Sequence, residues 1–158
     1  MTTNPDFQIR QARLDDIPTL AEYRLQMLLN MGRGTPEELE VLRQPTEAYL
    51  ADTMPTDEFL GWLAEAGGQV IGIAGVIVRR KPPALKNPQG LEGYILSVFT
   101  HPDWRRKGVA TALMNAILAE LRARGVRRAC LHASDEGRPV YEKLGFEAVV
   151  REMRLELF

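Results

Sequence analysis

Residues 97–114 read SVFTHPDWRRKGVATALM, and this stretch decides the fold of the chain. It begins as a strand, because the residues from Tyr94 to Thr100 are mostly β-branched or aromatic and stop shortly before a proline. Apolar residues then recur with helical spacing, at Val109, Leu113, Ile117 and Leu121. The stretch therefore predicts a strand, a loop and an amphipathic helix in direct succession.

The loop inside this stretch has the composition of an anion site. Three consecutive cations, Arg105 to Lys107, stand directly before Gly108. The first N–H groups of a helix are unpaired and carry partial positive charge, so a loop that leads into a helix can hold an anion. Because Gly108 has no Cβ, a phosphate can approach its backbone closely. The sequence thus predicts a phosphate-binding loop at residues 105–110.

Composition limits the class of protein. A chain of 158 residues with 45% hydrophobic and 26% charged residues suits one soluble domain, residues 1–158. The net charge of −1 gives no reason to expect nucleic acid or a membrane as partner. The N-terminus lacks the features of a signal peptide, and the single cysteine, Cys130, suits a reducing compartment. We therefore expect a cytoplasmic protein.

The remaining elements follow from periodicity and from turn residues. We expect a first strand at 7–12, a helix after Asp15 or Asp16, and two short helices between Thr35 and Met54, separated by Pro45. Strands at 59–65 and 69–79 flank Ala66-Gly67-Gly68 and predict an antiparallel hairpin. A strand at 126–133, a helix at 138–144 and one or two strands within 147–157 complete the chain. The fold class is mixed α/β.

A second motif lies further along the chain. It runs from Ser134 through Gly137 and Tyr141 to Gly145-Phe146. Together with Arg105-x-x-Gly108-x-Ala110 it resembles the GCN5-related N-acetyltransferases, the GNAT superfamily. The resemblance implies an acyl-CoA N-acyltransferase fold, with a central, twisted, mostly antiparallel sheet flanked by about four helices. Ser134 stands where many members have asparagine, which leaves its hydrogen bond to the cofactor open.

The resemblance implies transfer of the acetyl group from acetyl-CoA to a primary amine by direct attack. In the family the central strand splays from its neighbour, and the freed backbone pairs with the pantetheine arm. An N–H near Val98 or Phe99 is then expected to polarise the thioester carbonyl. The cofactor-binding residues implied are Val98, Phe99, Thr100, Arg105, Arg106, Lys107, Gly108, Val109, Ala110, Thr111 and Ser134.

Tyr141 is the expected general acid, because the departing CoA thiolate needs a proton and a phenol can supply it. The alternative is a tyrosine that only packs. The general base stays open between Glu92, His132 and a chain of water molecules. His101, next to Pro102, reads as a surface residue. The two histidines lack metal-ligand spacing, so we expect no metal site.

The acceptor remains open, as a small-molecule or protein amine. Acids outnumber cations between Arg33 and Glu65, which either attracts a cationic amine or marks a solvated face. One alternative function is a non-catalytic acyl-CoA sensor. Another is nucleic-acid binding through the basic residues around Arg105 and Arg122, which the ordinary net charge does not favour. Many members of the superfamily pair through edge strands or last strands, so a homodimer is a further alternative.

Overall fold

The computed structural model describes residues 3–4, 6–149 and 151–158, and its centre is one six-stranded sheet. The strands lie in chain order, and all neighbours run antiparallel except β5 and β6, which are parallel. Their bounds are β1 Thr3–Asn4, β2 Phe7–Gln11, β3 Phe59–Ala66, β4 Gln69–Arg80, β5 Leu91–Thr100 and β6 Arg128–Leu131. The prediction of a mixed, mostly antiparallel sheet is confirmed.

The β3–β4 hairpin has the predicted turn. Gly67 and Gly68 have φ angles of 56° and 77°, which are left-handed values that glycine adopts without steric cost. A two-residue turn of this kind matches the twist of the strands that it joins. The predicted hairpin is therefore confirmed.

Five α-helices accompany the sheet in the described part of the chain, one more than the expected number of about four. They are α1 Ile17–Asn30, α2 Pro36–Glu40, α3 Arg43–Thr53, α4 Val109–Ala123 and α5 Arg138–Lys143. Two short helices do follow Thr35, but the predicted break at Pro45 is wrong. Pro45 lies in the first turn of α3, where a proline loses no helical hydrogen bond. None of the described helices is long and apolar enough to cross a membrane.

Helices cover both faces of the sheet. The predicted face of α4 is fully buried on one side, where Leu113, Met114 and Ile117 have no exposed surface. On the other side Leu20 of α1 and Leu50 of α3 pack with residues of β3 to β5. The sheet is thus the middle of three layers, and the end of β5 that leads into α4 lies between them.

The predicted final strands are wrong. Residues 147–149 and 151–158 form no strand, and Val150 lies outside the described residues. The alternation of Met153, Leu155 and Leu157 is present, but these side chains are exposed. A strand needs a partner for its backbone groups, and alternation of side chains does not supply one. The strand predicted at 126–133 is also shorter, since β6 covers only Arg128–Leu131.

Candidate functional site

A bulge interrupts β5 at Ser97. Leu96 pairs with Gly75 of β4 and Phe99 pairs with Ile73, so two residues of β5 oppose one residue of β4. Ser97 has a φ of 55°, a left-handed value that costs energy for a residue with a side chain. Such bulges bend a strand and redirect its backbone groups, and they are concentrated next to active sites.

Arg24 of α1 stabilises this bulge. Its guanidinium donates a hydrogen bond of 2.8 Å to the hydroxyl of Ser97. Both side chains are partly buried, and a hydrogen bond from a charged donor is stronger than a neutral one. The contact therefore helps to offset the backbone strain at Ser97.

The bulge marks the point where β5 separates from β6. The last pair between these two strands is Ile95 with Leu131, yet β5 continues to Thr100. Along residues 96–100 the edge that faces away from β4 has no strand partner within the described residues. The result is a cleft with an unpaired backbone edge, which is the splay that the resemblance implied.

The N-terminus of α4 opens beside this cleft. Gly108 precedes the helix and supplies no side-chain cap, and the N–H of Ala112 is the donor to its carbonyl, at 3.0 Å. For the N–H groups of Val109, Ala110 and Thr111 we find no acceptor in the described part of the chain. A Cβ at Gly108 would meet no atom within 4 Å. The backbone there is accessible to an anion, as the sequence predicts.

The cations of the loop are anchored by aromatic rings. The Arg105 guanidinium stacks over Phe99 at 5.8 Å, and its Nε donates to the carbonyl of Thr100 at 3.3 Å. The Lys107 ammonium lies 4.9 Å from the ring centre of Trp104. These contacts hold positive charge at the mouth of the cleft while the backbone N–H groups stay accessible.

Tyr141 lies on α5 and lines a cavity together with Leu131 and His132, at the end of β6. Its side chain is buried, and its ring packs edge-on against Phe146 at 6.1 Å. A Cβ at Gly137 would approach the Tyr141 ring to 2.9 Å, so glycine is required there for close packing. Burial raises the pKa of the Tyr141 phenol, which therefore keeps its proton at neutral pH.

Ser134 is partly engaged in local structure. Its Oγ accepts a hydrogen bond of 3.1 Å from the N–H of Gly137, at the entry to α5. A hydroxyl that accepts in this way can still donate its own hydrogen. Ser134 thus remains able to donate toward the cleft.

Glu92 is sequestered in a buried cluster. Its carboxylate ion-pairs with Arg79 at 3.3 Å and Lys81 at 3.0 Å, and it accepts a hydrogen bond of 2.8 Å from the thiol of Cys130. Burial opposes the charge, but the hydrogen bonds from Cys130, Lys81 and Arg79 outweigh it and lower the pKa of Glu92 to about 2. Glu92 is therefore a weak base, and its contacts stabilise the fold rather than prepare it to accept a proton.

Cys130 is not an activated nucleophile. Burial, together with the neighbouring Glu92 carboxylate, raises the pKa of its thiol to about 11. The thiolate is the reactive form, so Cys130 stays protonated at neutral pH. Among the described residues no group of three or more His, Cys, Asp or Glu side chains could hold a metal ion.

His132 belongs to a chain of hydrogen bonds that the sequence did not reveal. Its Nδ1 lies 2.6 Å from the hydroxyl of Tyr94, and its Nε2 lies 2.5 Å from the carboxylate of Glu152. Because the carboxylate can only accept, Nε2 carries the hydrogen and Nδ1 accepts from the phenol. His132 also follows the last residue of β6, directly at the splay. Only contacts distant in sequence identify Tyr94 and Glu152, so no local pattern could have found them.

A cavity of about 400 Å³ lies on the face of the sheet that carries α1 and α3. Its lining is largely apolar and includes Tyr49, Leu96 and the bulge residue Ser97. Arg24 is the charged side chain in that lining, which contains no carboxylate from the described residues. Acids of the region between residues 33 and 65 are engaged elsewhere, in ion pairs that include Glu40–Arg43, Asp57–Arg124 and Glu65–Arg10.

Comparison with a model of the acetyltransferase (GNAT) family gives a match over residues 25–146. Among curated proteins, glucosamine 6-phosphate N-acetyltransferase of Trypanosoma brucei brucei is 32% identical over 90 residues. That match covers 57% of this chain and 59% of the relative.

Two solved structures are similar over nearly the whole chain. A protein from Clostridium acetobutylicum that is described as a predicted acetyltransferase, solved with acetyl-CoA, is 29% identical with a TM-score of 0.88, and the match covers 96% of each chain. A GCN5-related N-acetyltransferase from Ralstonia eutropha is 28% identical with a TM-score of 0.85, covering 95% of this chain and 98% of its own.

The Glu92 cluster predicts a pH-dependent stability. Because the pKa of Glu92 is lowered by folding, its stabilisation is present above its ordinary pKa of 4.5 and is lost as the pH falls toward about 2. We expect Glu92→Gln to lower the free energy of unfolding at pH 7 by about 1.5–3 kcal/mol, since the buried group loses its charge-assisted hydrogen bonds while the half-exposed Arg79 and Lys81 stay hydrated.

Urea unfolding at pH 7, 5 and 3 measures this effect. The difference between wild type and Glu92→Gln should narrow between pH 5 and pH 3. The exposed Glu136 provides a control, and Glu136→Gln should stay close to wild type throughout. A difference for Glu92→Gln that is the same at all three pH values contradicts the assigned pKa.

Proposed function

Because the chain belongs to the acetyltransferase (GNAT) family, whose members are enzymes, we propose that it transfers acetyl from acetyl-CoA to a primary amine. In this proposal residues 1–158 act as one catalytic domain. The observation that carries it is the cleft between β5 and β6, which opens beside the uncapped N-terminus of α4. One cleft thereby offers an unpaired strand edge and a cluster of free N–H groups. The cytoplasmic location inferred from the single cysteine stays a prediction.

The cleft matches the chemistry of coenzyme A. A pyrophosphate needs several N–H donors and positive charge, which the backbone of residues 106–111 and the side chains of Arg105, Arg106 and Lys107 supply. The pantetheine arm is an extended chain with amide groups, so it can pair with Val98 and Thr100 as an added strand would. We expect the hydroxyl of Ser134, which accepts from Gly137, to donate its own hydrogen to the cofactor.

The bulge gives the cleft its catalytic capacity. Acetyl-CoA supplies the acetyl group as a thioester, which the amine attacks directly. The N–H of Val98 is the candidate on the freed edge of β5, where it polarises the carbonyl and stabilises the negative charge that develops on its oxygen. The N–H of Phe99 faces β4 instead, because the N–H of His101, two residues later in the same register, donates to the carbonyl of Ile71. Since the strain at Ser97 is already present in the folded chain, the N–H of Val98 is positioned before the substrate binds.

Tyr141 provides the proton for the leaving group. Its pKa is raised by burial, so the phenol is protonated when it is needed. It donates that proton to the sulfur as the bond between carbon and sulfur breaks. Retention of this tyrosine favours an enzyme over a non-catalytic acyl-CoA sensor.

His132 is the group that best suits removal of the proton from the amine. Glu92 stays ionised down to low pH and is paired with two cations, so it is a poor proton acceptor. His132 is hydrogen-bonded to Tyr94 on one side and to Glu152 on the other, so it can receive a proton through Tyr94 while Glu152 stabilises the resulting charge. Tyr94 is two residues before Leu96 on the same face of β5, and Leu96 lines the 400 Å³ cavity. The phenol can accept a proton from the amine while it passes its own proton to His132.

The 400 Å³ cavity is the proposed acceptor site. Its apolar lining favours an amine attached to a body with apolar surface over a polyamine, which would need carboxylates. Arg24 would match an anionic substituent of the acceptor. The Trypanosoma relative is named for glucosamine 6-phosphate, an amine with such a substituent, and amino sugar phosphates therefore belong in an acceptor panel.

Gly108→Glu tests the cofactor site. The new carboxylate would occupy the phosphate position and repel the phosphate, so we expect acetyl-CoA binding to weaken by at least about 100-fold, which corresponds to ~2.7 kcal/mol. Isothermal titration calorimetry with acetyl-CoA measures this directly.

A matched control is Gly125→Glu, which places the same side chain on a left-handed glycine at the other end of α4. This variant should bind as wild type does. Equal binding by Gly108→Glu would show that the cofactor lies elsewhere, and no binding by wild type would overturn the proposed function.

Tyr141→Phe tests the general acid. Loss of the proton donor should lower kcat by about 10²–10⁴-fold with little change in the KM for acetyl-CoA. Release of free CoA is measured with a panel of amino sugars, amino sugar phosphates, amino acids and peptides. Tyr23→Phe is the control, because the hydroxyl of Tyr23 donates to the carbonyl of Val70 outside the cleft. An unchanged kcat for Tyr141→Phe would restrict Tyr141 to packing.

His132→Gln tests the base. We expect kcat/KM to fall about 100-fold at pH 7 and the deficit to shrink at high pH, where the amine arrives without its extra proton. His101→Gln is the matched control, because the Nδ1 of His101 accepts the N–H of Asp103 in a turn outside the cleft. If both variants retain full activity at every pH, a chain of water molecules removes the proton instead.

A further inference from the structure

Arg24 is a cation without a counter-ion in an apolar cavity. It is partly buried, and it lines the 400 Å³ cavity together with Leu20, Leu50 and Phe59. Its guanidinium has five N–H donors, and the hydrogen bond to Ser97 uses one of them. Within the described part of the chain Arg24 forms no ion pair. A partly desolvated cation of this kind is stabilised by an anionic ligand.

The charge available in the cavity suits a carboxylate. Among the described residues that line the cavity, Arg24 is the one charged side chain, and Arg43 nearby on α3 is already paired with Glu22 and Glu40. A phosphate monoester carries about 1.5 to 2 negative charges at pH 7, whereas a carboxylate carries one. The planar fork of a guanidinium also matches the two oxygens of a carboxylate. One guanidinium therefore balances a carboxylate fully and a phosphate only in part.

The position of Arg24 sets the distance between the anion and the reacting amine. Its guanidinium lies 2.8 Å from the hydroxyl of Ser97, and the N–H proposed to polarise the thioester belongs to the next residue, Val98. By ordinary bond lengths the guanidinium is then within about 7 Å of that N–H. The attacking nitrogen must come within about 3–3.5 Å of the thioester carbon beside it. The anion and the amine are thus close neighbours in the acceptor.

The rest of the cavity fits a large apolar group. The rings of Tyr49 and Phe59 contribute to its lining and pack edge-on at 6.1 Å. A Cβ at Gly75 would approach the Phe59 ring to 2.4 Å, so this glycine lets the ring lie directly against β4. A volume of about 400 Å³ is typical of a small-molecule pocket, and aromatic walls favour an aromatic or branched side chain.

We propose that the acceptor is an α-amino acid with a large apolar side chain. Its carboxylate binds Arg24, its side chain fills the 400 Å³ cavity, and its amine faces the thioester. This assignment rests on the proposed function, since it names the acceptor of the same site. The neutral amine nitrogen bonds to the carbonyl carbon, and the carbon–sulfur bond breaks with its electron pair on sulfur. Tyr141 protonates the sulfur, and the proton released from nitrogen leaves through Tyr94. The products are an N-acetyl amino acid and CoA.

Four acceptors separate the features that the site requires. L-phenylalanine has all of them, phenethylamine lacks only the carboxylate, L-alanine lacks the ring, and 6-aminohexanoate holds its carboxylate far from the amine. We measure kcat/KM from the release of CoA at saturating acetyl-CoA. The value for L-phenylalanine should exceed each of the others by at least about 10-fold, because a charge-assisted hydrogen bond or a buried ring contributes that much.

Arg24→Gln tests the carboxylate contact. It should lower kcat/KM for L-phenylalanine by about 10–100-fold, mainly through KM, and should abolish the preference over phenethylamine. Phenethylamine reports any damage to the bulge separately, because it has no carboxylate to lose. Ser97→Ala is the control, since it removes the same hydrogen bond and keeps the guanidinium. It should change both acceptors by the same factor and preserve the preference. A preference that survives in Arg24→Gln would overturn the assignment.

Calorimetry separates failure of this assignment from failure of the proposed function. L-phenylalanine titrated into protein saturated with CoA should bind, and Arg24→Gln should weaken that binding by at least about 10-fold. Unchanged binding in the variant, or a higher kcat/KM for phenethylamine or glucosamine 6-phosphate, would overturn the amino acid as acceptor and leave the proposed acetyl transfer standing. A wild-type protein that does not bind acetyl-CoA would overturn both.

Discussion

The hydrogen bond from Arg24 to Ser97 supports the conformation on which the rest of the site depends. Ser97 holds a left-handed φ of 55° at the bulge, and immediately beyond this point β5 no longer pairs with β6. A regular β5 would continue its ladder with β6 and close the cleft. Backbone strain of about 1–3 kcal/mol is tolerated only where surrounding contacts determine the conformation. Here a buried sheet on one side and a charged donor on the other provide those contacts.

Charge is distributed around the cleft in two separate regions. At its mouth, the helix terminus and the loop cations present positive potential with the backbone N–H groups accessible. On β5, the charge of Glu92 is balanced by Arg79 and Lys81, and its carboxylate accepts a hydrogen bond from the thiol of Cys130. Through these contacts the Glu92 carboxylate links β5 to the end of β4 and to β6. In the proposed function, the proton transfers therefore fall to the phenol of Tyr141 and the hydrogen-bond chain through His132.

The elements that local patterns determine could be predicted from the sequence. The hairpin at Gly67-Gly68 follows from turn stereochemistry, and α4 follows from its apolar spacing and the glycine before it. Contacts between distant residues could not be read in this way. Tyr94, His132 and Glu152 meet only because β5, the end of β6 and the C-terminal residues 151–158 converge. Helices α2 and α3 both pack against α1, a contact that the local sequence around Pro45 does not reveal. The alternation of Met153, Leu155 and Leu157 predicts a strand, but within the described residues this segment pairs with no strand of the sheet.

Arg24 belongs to two places at once, since it lines the 400 Å³ cavity and also binds the bulge at Ser97. In the proposed function, this single side chain connects the acceptor cavity with the cofactor cleft. By thermodynamic linkage, a bound acceptor and bound acetyl-CoA change each other's affinity by the same factor. In the proposed function the Arg24 guanidinium contributes to that factor, so we expect a substitution at position 24 to alter the cooperativity between the two substrates as well as the affinity for each.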